Sequence, residues 1–82
     1  MAKDRFIQDF GERVRELRLE RGLTQEALAA RAGMHFSAIG HIERASRSST
    51  LETVLKLAQA LEVQPRELIP DAKLRAPRGR RR

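Results

Sequence analysis

Cysteine, tryptophan and tyrosine are all missing from these 82 residues, and phenylalanine occurs only three times. Without cysteine there is no disulfide and no thiolate to hold a metal, and nothing argues for an oxidising compartment. Apolar runs never exceed a few residues, far short of a membrane span. The opening MAKDRF lacks the apolar stretch of a signal peptide. A soluble, cytoplasmic chain with no membrane partner is the expectation. No segment alternates with period two over four or more apolar sites, which excludes half-buried strands and predicts an all-helical fold. At this length the chain supports one small core and a short tail.

What is plentiful is charge, at 34% of residues, with a net +6. It is unevenly placed. Residues 1 to 70 hold 11 basic against 10 acidic side chains, whereas DAKLRAPRGRRR, residues 71 to 82, holds six basic residues against Asp71. The expected organisation is a helical domain over 1–70 and a basic, disordered tail over 71–82. Such a tail is either a solubilising end or an arm that neutralises phosphates.

Phe6, Phe10, Val14 and Leu17 recur at helical spacing, with Asp4 as N-cap and Gly22 as stop. Gly11 inside that helix costs about 1 kcal/mol relative to alanine, so either it packs closely or the helix starts nearer Asp9. Thr24 caps a second helix, QEALAARA, which breaks at Gly33. After a turn of Ala32, Gly33 and Met34, a third helix is expected over His35–Arg44. Ser49 and Glu52 form a capping box for a fourth, with Leu51, Val54, Leu55, Ala58 and Leu61 on one broad face. Pro65 opens a short fifth helix and Pro70 ends it.

The third helix carries the unusual residues. At 100° per residue, Ala38, Ile39 and Ile42 share one arc of about 100°. Ser37, Gly40 and Arg44, flanked by Phe36 and His41, look the other way. A short helix, a tight glycine-containing turn and a second helix with a small, polar outer face describe a helix-turn-helix. The alternative for Phe36 is core packing by a rotated helix, and for His35 helix capping or plain solvent.

LTQEALAARAGMHFSAIGHIERA resembles the centre of the phage repressor and Cro family of five-helix DNA-binding domains. Leu23 to Glu26, Leu28-Ala29, Ala32-Gly33, Ile39 and Ile42-Glu43-Arg44 carry the likeness, followed by LETVLKLAQALEV. It covers about residues 7 to 69. GMHFSAIGHIERASRSS is also similar to the small controller proteins of restriction–modification systems. Two departures stand out. Ala45 occupies the place where glycine usually ends the recognition helix, and Phe36 a place usually held by a polar residue.

The resemblance implies a sequence-specific transcriptional regulator whose recognition helix, 35–44, lies in the major groove of operator DNA. His35, Phe36, Ser37, Gly40 and His41 would then lie nearest the bases. Ser37 can donate or accept, Phe36 suits a thymine methyl, and Gly40 allows close backbone approach. Thr24, Gln25, Arg44, Arg47 and Ser48 would meet phosphates or the flanking groove, with Gln25 at a positive helix end. For Thr24 capping comes first, and Arg47 could be simple solvated surface. Glu43 is an anion beside this face. The resemblance pairs it with Arg18, and loss of a buried pair costs about 3 kcal/mol.

One such helix reads few base pairs, so a homodimer on a palindromic operator is expected. Leu55, Val63, Leu68 and Ile69 are candidates for its interface, with Leu74 behind them, although all could instead close the monomer core. The implied partners are double-stranded DNA, a second copy and, for a controller that activates, RNA polymerase.

Enzyme activity is not expected. Ser37 and His41 lie four apart, but no acid orients the histidine and no pocket or oxyanion site is evident. His35 and His41 share no face, so neither a metal site nor any other cofactor is expected. The main alternative is an antitoxin that also represses its own promoter, and a stoichiometric protein partner would identify it. A further alternative, a nonspecific coating protein, would lose DNA binding with residues 72–82.

Overall fold

The computed structural model describes residues 5 to 70, and within them every regular element is helical. Four α-helices, α1 (Arg5–Glu20), α2 (Gln25–Ala32), α3 (Ala38–Glu43) and α4 (Leu51–Leu61), are followed by a single 3-10 turn, Pro65–Glu67. The expected fifth helix is therefore no α-helix. Gln64 and Glu67 close a reciprocal capping box around Pro65. Pro70 then disfavours helical backbone at Ile69, so the segment ends after one turn.

Helix α1 places Phe10, Val14 and Leu17 in the core, as their spacing requires. It runs straight through Gly11 because Gly11 lies against α3. A Cβ there would stand 2.5 Å from the Ile42 carbonyl oxygen and 3.0 Å from that of Glu43. The helix ends in a glycine turn, with Gly22 at φ 69° and the Leu23 N–H donating to the Arg18 carbonyl. The proposed cap at Asp4 lies outside the described residues.

Helix α2 starts where Thr24 Oγ1 accepts the Ala27 N–H at 3.0 Å, and stops at Gly33, φ 68°. Helix α3 is shorter than expected. Its start at Ala38 makes the link from α2 five residues, 33–37, rather than three. Side chains explain the delay: the Ser37 N–H donates to His35 Nδ1 (3.2 Å), and the Ser37 hydroxyl lies 2.9 Å from the same atom. Such local bonds hold a turn in competition with helix.

Helix α4 is capped by Thr50, not Ser49. Thr50 Oγ1 accepts the Thr53 N–H at 3.1 Å, and helix begins at Leu51. Its core face is formed by Leu57, Ala58, Ala60 and Leu61, with Val54 packed alongside. Leu51 and Leu55 were expected on that face but stand outside it, 86% and 48% exposed.

Val14, Leu28, Ile39, Leu57, Leu61 and Leu68 are wholly buried. Helix α3 packs on α1 and α2, α4 packs on both of those helices, and the 3-10 turn packs on α4. Arg13 of α1 and Arg21, just past its end, tie down the C-terminal half: Arg13 Nε donates to the Glu67 carbonyl at 3.0 Å and Arg21 Nε to that of Leu61 at 2.7 Å. Helix α3 is thus held from behind on two sides.

Candidate nucleic-acid interface

Ile39 and Ile42 fix the orientation of α3, being 0% and 8% exposed. With those anchors inward, His35, Phe36 and Ser37 project from the turn ahead of the helix, all exposed. Phe36 is 66% exposed, so the core-packing alternative does not hold. Its ring stacks on His35, with centroids 4.5 Å apart and planes inclined by 28°.

Two residues expected on the open flank are placed differently. Gly40 is buried, because the Arg44 guanidinium covers it, with Nη1 2.9 Å from the point a Cβ would occupy. The outer surface there is Arg44, not bare backbone. His41 is half-buried, and its Nδ1 is enclosed with no hydrogen-bond partner among the described residues. It borders a cleft of about 170 Å³ between α3 and the start of α4, shared with Met34, Arg47, Ser48, Ser49, Thr50 and Thr53. Arg47 and Ser48, expected near the flanking groove, both line this cleft. The hydroxyl residues Ser49, Thr50 and Thr53 join them there, and the run SRSST is the sequence signal that points to such a lining.

Helix α3 closes through Ala45, whose φ of 58° is the left-handed conformation glycine supplies more cheaply. The exit turn is kept nonetheless: the Ala45 N–H bonds the Ile42 carbonyl, and the Ser46 N–H that of His41, each at 3.0 Å. Arg44 and Arg47 are left exposed on either side of this turn.

Glu43 does not disturb the positive face, because it is neutralised from behind. Arg18 Nε donates to Oε2 at 2.7 Å and Nη2 to Oε1 at 3.2 Å, a two-pronged pair with both side chains largely sequestered from solvent. The third guanidinium nitrogen donates to the Leu23 carbonyl at 2.8 Å. The bond to Glu43 pushes the Arg18 pKa up, outweighing the opposing desolvation, with the charges of Glu43 and Glu26 adding to it. Gln25 Nε2 donates to the same Glu43 Oε1 at 3.0 Å. One carboxylate thereby ties α1, the first residue of α2 and the last of α3 together.

The candidate dimer residues separate. Leu55 and Ile69 are exposed, 48% and 42%, and Val63 is partly buried against the core. Leu68 is 0% exposed and belongs to the monomer core, where the 3-10 turn drives it under α4. Leu74 and the basic tail lie outside the described residues. An apolar cleft of about 140 Å³ adjoins Ile69, lined also by Phe6, Ile7, Phe10, Leu51 and Val54.

Two anchored isoleucines behind an open, arginine-flanked turn and short helix are the geometry of a DNA-reading helix-turn-helix. The helix-turn-helix family model matches residues 14–68. The chain belongs to this family of DNA-binding regulators. It is 39% identical over 61 residues to the control protein C.BamHI of Bacillus amyloliquefaciens, covering 73% of this chain and 75% of that protein. The restriction–modification controller protein C.AhdI from Aeromonas hydrophila superposes with a TM-score of 0.75 at 48% identity, over 77% of this chain and 96% of that one. The P22 c2 repressor, in a complex with a synthetic operator, gives a TM-score of 0.69 at 34% identity, over 76% and 94%. The family is one of DNA-binding regulators and not a known enzyme family. No group of side chains able to hold a metal occurs among the described residues, and no helix there is long and apolar enough to cross a membrane.

Proposed function

We propose that this regulator binds a palindromic operator as a homodimer in the cytoplasm, with the turn 35–37 and helix α3 entering the major groove, and that it serves as a restriction–modification controller. One observation carries the reading: Phe36 and Ser37 stand exposed directly ahead of a helix whose Ile39 is wholly buried. A side chain so placed can reach base edges without disturbing the core.

In this reading His35, Phe36 and Ser37 lie deepest, and His41 meets the groove wall from the cleft. Arg44 and Arg47, with Ser48, hold the flanking phosphates. At the other side, Thr24 caps α2 and Gln25 heads it, its amide oriented by Glu43, so that a phosphate is met at the positive helix end. Leu55 and Ile69, together with the partly buried Val63, form the surface for the second copy. RNA polymerase is the further partner when the operator lies where activation is possible. The controller assignment rests on the similarity to C.BamHI and C.AhdI.

Selection of bound fragments from random duplex DNA at stated salt tests this. An inverted repeat with half-site centres about one helical turn, or a multiple, apart is expected. Fragments without a common motif would refute sequence-specific binding. A stoichiometric protein partner co-purifying from the native host would instead favour the antitoxin reading.

A further inference from the structure

The turn ahead of α3 fixes a proton as well as a shape. His35 Nδ1 lies 3.2 Å from the Ser37 backbone N–H in donating geometry and 2.9 Å from its hydroxyl. A backbone N–H can only donate, so Nδ1 must present its lone pair, and the neutral ring then carries its proton on Nε2. The Ser37 hydroxyl, facing the same lone pair, turns its own proton inward. Phe36, stacked on the ring, favours this orientation of it.

We infer that His35 is held as its Nε2–H tautomer and donates to a guanine edge, while Phe36, stacked on it, covers the methyl group of a neighbouring thymine. This rests on the proposed operator-binding reading and adds which bases this turn selects. In the major groove guanine offers two acceptors, N7 and O6. Adenine offers one acceptor beside a donor, thymine the single acceptor O4, and cytosine only a donor, which an N–H repels, so guanine alone gives the N–H two acceptors. Phe36 makes no hydrogen bond, and at 66% exposure its ring is available for the one apolar group in the groove, the thymine 5-methyl. Ser37, its proton committed, faces outward as an acceptor. The turn therefore presents donor, apolar ring and acceptor in succession, a narrower preference than serine and histidine have when free to rotate.

The protein's own selected operator supplies the test. Each thymine is replaced in turn by deoxyuridine, which lacks the methyl, and each guanine by 7-deazaguanine, which lacks N7. One thymine per half-site should be sensitive, with binding weakened about fourfold, the worth of one buried methyl. A guanine in the adjoining base pair should lose about fivefold, the worth of one hydrogen bond. Two variants assign the effects. Phe36→Ala should bind the uracil and thymine operators equally. His35→Asn keeps the turn, since a side-chain oxygen accepts the N–H two residues on, and should bind the 7-deazaguanine and guanine operators equally. Sensitivity that persists unchanged in both variants, or half-sites lacking adjacent guanine and thymine, overturns the inference while leaving operator binding intact. Failure to select any motif overturns operator binding itself, and this inference with it.

Discussion

Glu43 shows how a single side chain can look misplaced in sequence and be necessary in structure. A carboxylate beside a DNA-facing helix should repel phosphate, yet it accepts from Arg18 twice and from Gln25 once. Glu43→Ala leaves a guanidinium buried without its partner, which costs about 3 kcal/mol. A fall in Tm of more than about 10 °C is expected in calorimetry; an unchanged Tm would show the pair to be dispensable. The pH dependence follows from Arg18. Its folded pKa is raised above the unfolded value, so the stabilisation is fully present below the unfolded pKa and is lost only when pH climbs through the folded one. Stability from this source should stay flat from neutral to moderately alkaline pH. Arg47 belongs to the same scale but touches charge, not stability. Arg47→Ala should leave Tm unchanged and reduce the slope of log K against log salt by about 0.9, the value of one phosphate contact. An unaltered slope would return Arg47 to plain solvated surface.

Elements were legible in the sequence to the extent that local chemistry defines them. Helix α1 announced itself by apolar spacing, α2 by Thr24 and Gly33, and α4 by its apolar content and hydroxyl cap. The misses lie where two local choices were nearly equal. Ser49 and Thr50 can each cap a helix, and Thr50 prevails with Thr53 bonded beneath it. Helix α3 could have begun at His35, but a histidine nitrogen placed to accept the Ser37 N–H is a detail periodicity does not encode. Leu68 and Ile69 are neighbours of equal hydrophobicity, and only the path of the 3-10 turn decides which is buried. Gly40 needed knowledge of where the Arg44 side chain folds. Gly11 is the clearest test at this scale. Helix propensity alone predicts that Gly11→Ala stabilises by about 1 kcal/mol. The carbonyls of Ile42 and Glu43 at 2.5 and 3.0 Å predict the opposite, because backbone cannot step aside. We expect net destabilisation of about 2 kcal/mol by urea titration, with DNA affinity reduced as α3 is pushed outward. A stabilised variant would mean that α1 and α3 are not in close contact.

For the molecule as a whole, the division of labour is spatial. Helices α2 and α3 give one open, basic-flanked side, and α4 with the segment after it gives an apolar one, where Leu51, Leu55 and Ile69 stand exposed. In our proposal the first side is the reading surface and the second side pairs the copies. Replacing Leu55 and Ile69 by glutamate should shift sedimentation at micromolar concentration to the monomer without lowering Tm measured on that monomer, and should abolish binding to a palindrome more than to a half-site. A double variant that sediments as the wild type would place the pairing surface elsewhere. The central claim concerns the reading side, and one comparison tests it most directly: selection from random duplex DNA by the wild-type protein and by a Ser37→Ala, His41→Gln variant whose fold is verified by circular dichroism. The account predicts the same symmetry and spacing for both, with altered bases inside each half-site. An identical motif from the two proteins would contradict it.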